Sequence, residues 1–483
     1  MIRKIFLKCG LLLLMVLLAM LTMTATPAMA ASAWRPVGSP NFTSSCPVGV
    51  SNRSLFVYNG TPYVLCCDAS GGLTVMEYTG GSWQPVGSPD FATFVGSVCS
   101  LYVYNGTPYV TCSDANLKAA VMEYAGGSWQ PVGSPDLSGD VSNRSLFVYN
   151  GTPYLAYSDA NNRLAVMEYT DQSWQVVGGT PVSSGGALEI SLFVYNGTPY
   201  VAYADVTNND EAMVMEYTSG SWQLLGSPDF SGGSVGSISL YVDNGTPYVA
   251  YCGANSKAAV MEYNSGSWQM VGNPELSSGM ASFESLFVYN GTPYVAYRDN
   301  ANDCKATVME YAGGAWQYVG SPDFSNGMTS GESLFVYNGT PYLAYEDIND
   351  PLNPYNNSPV TVMEYPVIKV DVNGSPLQLD VAPMIVNGRT LVPLRAIFNA
   401  LGATVQWNPA DQSIAATKGS TTINLQIGST TALYNGTQIT LDAAPQIVGG
   451  RTLVPVRFIG EALEAQVSWD AANYQVNIIT ANL

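Results

Sequence analysis

The sequence predicts a mainly β protein: a seven-bladed β-propeller closed by an N-terminal strand, followed by a small α+β domain. Three observations carry this expectation. A hairpin sequence, Ser54 to Tyr63 in its first copy, returns with its Asn-Gly pair at Asn105, Asn150, Asn196, Asn244, Asn290 and Asn338, at intervals of 45 to 48 residues. A fixed period of that size marks repeated supersecondary units. A tryptophan strand also occurs seven times but out of phase, because its first copy, Trp34 to Pro40, precedes any hairpin. After Tyr365 the period stops and apolar residues adopt helical spacing.

The chain begins with a segment that reads as a secretory signal peptide, residues 1–30. Arg3, Lys4 and Lys8 form its basic end, and Leu11 to Met23 its apolar run, too short to span a bilayer comfortably. Ala28-Met29-Ala30 supplies a small-x-small cleavage site. No other segment is apolar enough to cross a membrane, so the expected location is extracellular or at the cell surface. Seven cysteines remain after cleavage, five of them in the first two repeats. Cys66 and Cys112 share one repeat position, where either a local disulfide or two small buried thiols would fit.

Residues 31–365 are assigned to the propeller. In the third repeat, Ser145 to Tyr149 is the first strand, and Asn150-Gly151 the two-residue turn that best tolerates positive φ. Thr152 to Ser158 is the second strand, Leu164 to Tyr169 the third, and Ser173 to Gly178, carrying Trp174, the fourth. Leu146-Phe147-Val148-Tyr149 is apolar on both faces and must be covered on both, which a ring of sheets packed between neighbours provides. Because the tryptophan strand is out of phase, Trp34 to Val37 should complete the last sheet beside Val362, pairing an otherwise open edge.

Composition narrows the functions. The chain has 17 Lys+Arg against 36 Asp+Glu, a formal charge of −19, and no histidine. Nucleic acid and anionic membrane are bound through clustered basic residues, so neither is an expected partner. The absence of histidine removes Ser-His-Asp triads and His-ligated metal sites.

Three rings of repeated residues are candidate sites. Asp68, Asp114, Asp159, Asp205, Asp299 and Asp347 end the second strands, with Gly253 in the fifth repeat. Asp90, Asp136, Asp229, Glu275 and Asp323, in the loops after the fourth strands, should open on the same face. Such a rim would bind sugar hydroxyls or Ca2+, which takes oxygen ligands. The competing reading is that each Asp caps its own turn. Glu77, Glu123, Glu168, Glu216, Glu262, Glu310 and Glu364 lie inside the third strands. Paired carboxylates can cleave glycosides, but a residue repeated in every unit points to a repeated structural hydrogen bond. The tryptophans are either sugar platforms or regular packing.

Residues 366–483 hold a second repeat, offset by 62 residues: Arg389-Thr390-Leu391-Val392-Pro393-Leu394-Arg395 returns as Arg451-Thr452-Leu453-Val454-Pro455-Val456-Arg457. Trp407 matches Trp469. Leu394, Ile397, Phe398 and Leu401 fall on one helical face, and strands are expected at Thr404 to Trp407, Ser413 to Thr417 and Thr422 to Ile427. This segment resembles the copper amine oxidase N-terminal domain family of exported Gram-positive proteins. The resemblance implies a stalk-like accessory module without copper or oxidase activity, since the catalytic domain and its histidines are missing.

The expected function is that of a secreted or cell-surface, non-catalytic binding protein recognising a polysaccharide or a surface protein, with no cofactor unless Ca2+ occupies the acidic rim. The alternatives are a propeller glycosidase or lyase, and an architectural envelope component. Propeller arginines (Arg35, Arg53, Arg144, Arg163, Arg298) show no clustering that would suit a sialidase-like enzyme.

Overall fold

The computed structural model describes residues 33–480 apart from 44–54, 68–71, 94–98, 114–118, 134–142, 180, 229, 274–275, 349–357, 378, 380, 382, 387–388, 449–450 and 471–473. The segment read as a signal peptide lies outside these residues. Among the described residues no helix is long and apolar enough to cross a membrane. The chain divides into two compact units, 33–366 and 367–483.

The first unit is built from four-stranded antiparallel sheets. In the third repeat the strands are Ser145–Tyr149, Thr152–Ser158, Leu164–Thr170 and Ser173–Val176. Asn150 and Gly151 sit at φ 48° and 81°, both left-handed, so the turn twists with its strands rather than against them. Leu146 and Val148 are 4% and 1% exposed, while Phe147 and Tyr149 on the other face are half-buried. The first two repeats depart from the expectation of separate sheets. A two-residue strand, Ala92–Thr93, pairs with Gly72 and Leu73 on one side and Ser113 on the other, joining both repeats into one nine-stranded sheet.

Arg35 and Pro36 pair with Glu364 and Met363, 329 and 327 positions downstream, and the Val37 N–H donates to the Val362 carbonyl at 2.8 Å. They complete the sheet of Met328–Tyr337, Thr340–Ile348 and Val360–Glu364. Other repeats place Gln opposite this Glu, as Gln175 faces Glu168. Here Arg35 Nε meets Glu364 Oε1 at 2.8 Å. The arginine is more than a third exposed, so Arg35→Gln should lower stability by less than about 1 kcal/mol, and by less still at high salt; urea midpoints at two ionic strengths check this.

Sheet packs on sheet through two chains of contact. Each tryptophan of the first unit donates its indole N–H to a carbonyl of the preceding repeat: Trp83 to Val37, Trp129 to Val86, Trp174 to Val132, Trp222 to Val177, Trp268 to Leu225, Trp316 to Val271, and Trp34 to Val319, all at 2.7 to 2.9 Å. The glycine after that carbonyl is required twice over. Gly178 has φ +73°, and a Cβ there would lie 2.3 Å from the Tyr217 ring. The first strands meet through Phe56, Tyr102, Phe147, Phe193, Tyr241, Phe287 and Phe335. Successive rings are 4.7 to 4.8 Å apart, and Phe335 returns to Phe56 at 4.8 Å. Tilted aromatic pairs at this spacing are favourable beyond their burial.

The second unit contains two short helices, Leu394–Ala400 and Val456–Ala462, where the sequence reading described one. Leu394, Ile397, Phe398 and Leu401 are buried in its core with Val456, Ile459 and Leu463. Its expected strands form at Thr404–Asn408, Ser413–Lys418 and Thr421–Gln426. The repeated motif forms the strands Arg389–Pro393 and Arg451–Pro455, which pair antiparallel with Leu391 opposite Pro455, Val392 opposite Val454 and Pro393 opposite Leu453. This register is symmetric about Val392 and Val454, so the two repeats are related by a local two-fold.

Candidate functional site

Of the six aspartates singled out, Asp68 and Asp114 lie outside the described residues. Asp159, Asp205 and Asp299 are engaged with their own turns, and Asp347 with the neighbouring strand. Asp159 accepts from the Asn161 and Arg163 amides at 2.8 and 2.9 Å and from the Arg163 guanidinium at 3.1 Å. Burial alone would raise its pKa, but these donors outweigh burial and hold it below the usual range. Asp205 accepts from the amide and hydroxyl of Thr207. Asp299 accepts from the Ala301 amide and the Asn302 side chain. Asp347 accepts from the Thr361 hydroxyl; burial pushes its pKa up and that bond partly offsets it. Short polar side chains bonding their own backbone two residues on are the usual chemistry of such turns. In the acidic loops, the Asp90 and Asp323 amides donate to the Thr74 and Thr307 hydroxyls and the Thr307 hydroxyl to the Asp323 carboxylate, while Asp136, Asp229 and Glu275 lie outside the described residues. Among the described residues no three carboxylates or thiols converge as a metal site would require.

The glutamate ring faces tyrosines. Tyr200 Oη donates to Glu216 Oε1 at 2.7 Å across the register pair they form. Tyr63, Tyr109, Tyr154, Tyr248, Tyr294 and Tyr342 stand in the same relation to Glu77, Glu123, Glu168, Glu262, Glu310 and Glu364. Burial first, and then the facing carboxylate, pushes these tyrosines up, Tyr63, Tyr109 and Tyr248 to about 12. The tryptophans are packing residues: Trp34, Trp83 and Trp174 are 8 to 9% exposed. Cys66 is buried, its thiol 3.4 Å from the Thr74 carbonyl.

Two features escaped the sequence reading, and both break the repeat. The first lies at the Asn-Gly hairpins. Tyr58, Tyr104, Tyr149, Tyr195, Tyr289 and Tyr337 end the first strands, two residues beyond the aromatic chain, and each is half-buried. Two residues along a strand return to the same face. Each tyrosine ring lies 3.4 to 3.7 Å from where a Cβ would sit on the turn glycine of the next repeat, with Tyr337 against Gly60. In the fifth repeat the residue is Asp243. A Cβ on the glycine it faces, Gly291, would meet nothing within 4 Å. The ring that other repeats place there is missing, and the row of tyrosines has a notch between Tyr195 and Tyr289. Asp243 Oδ2 accepts from the Gly291 amide at 3.0 Å and from Asn244 Nδ2 at 3.2 Å. Aligning the repeats would have found this, since the residue before Asn-Gly reads Tyr six times and Asp once.

The second feature is a pair of buried acids, Glu284 and Glu332, each 0% exposed. They precede the serines of the sixth and seventh inner strands, where register shifts mark β-bulges. A bulge re-aims a side chain. Ser285 Oγ, next to Glu284, accepts from the Leu334 amide of the following strand at 3.0 Å, so the two strands are in contact. Glu332 accepts from Thr329. Burial pushes Glu284 up to about 8, with Glu332 and Glu189 adding to it and Ser237 easing it; burial pushes Glu332 up to about 7. Both are sealed from solvent and so out of reach of a polymer. The notch at Asp243 is the open, asymmetric site.

Comparison with known proteins gives the following similarities. A fucoside-bound lectin of Aleuria aurantia is 14% identical, with a TM-score of 0.40, over 59% of this chain and 98% of that one. An ulvan lyase from a new family of polysaccharide lyases is 11% identical, with a TM-score of 0.44, over 69% and 94%. A protein of unknown function from Dyadobacter fermentans is 12% identical, with a TM-score of 0.41, over 70% and 100%. A protease inhibitor of Brevibacillus choshinensis is 31% identical over 111 residues, which are 23% of this chain and 34% of that protein. The chain thus spans about a third of the length of the curated relative it matches. Residues 371–478 match the family model of the copper amine oxidase N-terminal domain.

Proposed function

We propose that residues 33–366 form a closed seven-bladed propeller and that the protein is an exported, non-catalytic binder of a neutral polysaccharide at the notch beside Asp243. Closure is supported by contacts that return on themselves: the aromatic chain from Phe335 to Phe56, the tyrosine row from Tyr337 to Gly60, and the indole bond from Trp34 to Val319. The single observation that carries the binding reading is the missing seventh ring. It leaves a space over Gly291, in the row between Tyr195 and Tyr289, with the Asp243 carboxylate beside it; aromatic rings suit the C–H surface of a sugar. Both of Asp243's protein hydrogen bonds fall on Oδ2, so Oδ1 is the oxygen offered to a sugar hydroxyl. Export follows from the reading of residues 1–30. The absence of histidine and the burial of Glu284 and Glu332 support the non-catalytic reading.

Binding of the full chain to an array of neutral glycans, with and without Ca2+, tests this. The glycans bound by the wild-type chain should be bound at least tenfold more weakly by Asp243→Tyr, which restores the repeated residue and fills the notch, while the urea midpoint stays unchanged. An unchanged glycan profile for Asp243→Tyr would exclude the notch as the site. Silence on every glycan would turn the reading toward a protein ligand.

A further inference from the structure

The C-terminal unit carries two cavities that are copies of one another under its 62-residue repeat. The larger, about 590 Å3, takes Arg395 and Trp407 from the first repeat and Arg451 from the second. The smaller, about 210 Å3, takes Arg457 and Trp469 from the second repeat and Arg389 from the first. The reason for the exchange is the antiparallel pairing about Val392 and Val454, which lays each repeat's strand arginine against the other repeat's helix.

The copies have diverged in charge. In the smaller cavity Glu461 stands one helical turn beyond Arg457; the bond of Arg389 Nε to Asp442 Oδ2 at 2.7 Å has its sequence counterpart in Arg451 and Asp380, the latter outside the described residues. In the larger cavity the residue one turn beyond Arg395 is Asn399, and no carboxylate is among its described lining residues. Arg395 is exposed and forms no ion pair among the described residues. The tryptophans differ as well. Trp469 packs edge-on against Tyr474 at 5.3 Å, whereas the residue 62 positions before Tyr474 is Gln412, and Trp407 is 39% exposed. One copy thus has an acid on its helix beside the arginine and an aromatic partner for its tryptophan. The other presents an open guanidinium beside an open indole, in a chain that carries a formal charge of −19.

We propose that the larger cavity binds a uronic acid unit of an acidic polysaccharide, its carboxylate on Arg395 and its ring against Trp407. A guanidinium fork matches a planar carboxylate with two parallel hydrogen bonds. The volume lies in the range of small-ligand sites. An acid on the ligand places a negative charge where the sister cavity's lining holds Glu461.

The test is titration of the full chain with tri-galacturonate, followed by calorimetry and tryptophan fluorescence, with the methyl-esterified trimer as the neutral control. The acid trimer should bind with an affinity that falls as salt rises, and the ester should bind at least tenfold more weakly. Arg395→Gln, at an exposed position that leaves the core untouched, should weaken the acid trimer at least tenfold, and Trp407→Ala should abolish the fluorescence change. Arg457→Gln should leave binding within twofold of wild type. Equal binding of acid and ester, or an unchanged affinity in Arg395→Gln, would overturn the proposal. Asp243→Tyr should not alter uronate binding, so failure here and failure at the propeller notch are read separately.

Discussion

Trp34→Ala should destabilise the repeat unit by about 3–5 kcal/mol, as the loss of a core aromatic does, although Trp34 stands near the start of the chain, where segments usually fray. The residue is 9% exposed and packs in a cluster with Val308, Leu343, Tyr345 and Met363. Its indole stacks on Phe324 at a centroid distance of 4.4 Å and meets Tyr365 at 5.7 Å. Its N–H donates to a carbonyl 285 residues away. Truncation removes all of these at once and leaves the Val319 carbonyl without its donor.

The size of the effect also decides between two accounts of the N-terminal strand. If Arg35 and Pro36 are an integral fourth strand, Trp34→Ala should cost what Trp174→Ala costs, since Trp174 is equally buried and makes the same bond to Val132. If the strand were a detachable appendage, Trp34→Ala would cost only its docking. Urea midpoints of the two variants make the comparison, and a cost for Trp34→Ala near that of a surface substitution would sink the integral account. The variant should also aggregate more readily, because loss of the strand bares the edge of Val360–Glu364.

How far this architecture was legible depends on the range of the interaction. Asn150-Gly151 dictates its turn from two residues, and Thr152–Ser158 was placed to the residue because turns bound it on both sides. The pairing of Arg35 with Glu364 was legible from phase alone, as a tryptophan strand without a hairpin must find a hairpin without a tryptophan strand. The Ala92–Thr93 bridge was not, because two residues carry no period. The helix at Val456 was missed although its motif was in view: Gly460 interrupts the apolar stripe at the position that Phe398 fills in the first helix. The site was less legible than the fold. What recurs, at Asp159, Asp205 and Asp299, accompanies turn capping. Asp243 is a single departure from a repeat, Glu284 and Glu332 stand at a position that holds no repeated residue, and Asn399 differs from Glu461; their meaning depends on a neighbouring space or counter-charge that only the packing supplies. The burial of Glu284 was opaque for a further reason: glutamate is among the residues least often fully buried.

That burial yields the second large effect. The repeat unit should lose stability steadily as pH rises from about 5.5 to about 8, where most acidic proteins are flat. An ordinary Glu carboxyl has a pKa of 4.5; folding holds Glu284 at about 8 and Glu332 at about 7, chiefly by burial. The folded state therefore keeps protons that the unfolded chain releases. The stabilisation is complete below pH 4.5 and is lost as pH climbs through the folded values, at roughly 1.4 kcal/mol per pH unit for each carboxyl. Charges facing the pair act within this same frame: Glu189 raises Glu284 further, and Arg298 pulls Glu332 down. The window is unusually clean because the chain has no histidine, the only side chain whose unperturbed pKa falls there. Glu310 and Asp347 are also displaced upward by burial, so the assignment rests on variants. Glu284→Gln keeps the neutral shape and cannot ionise. It should raise the urea midpoint at pH 8 and flatten the slope, and the double variant with Glu332→Gln should flatten it further while leaving pH 4.5 stability nearly unchanged. A wild-type midpoint that is level between pH 5.5 and 8, or a Glu284→Gln profile parallel to wild type, would mean that these carboxylates find partners or water when they ionise.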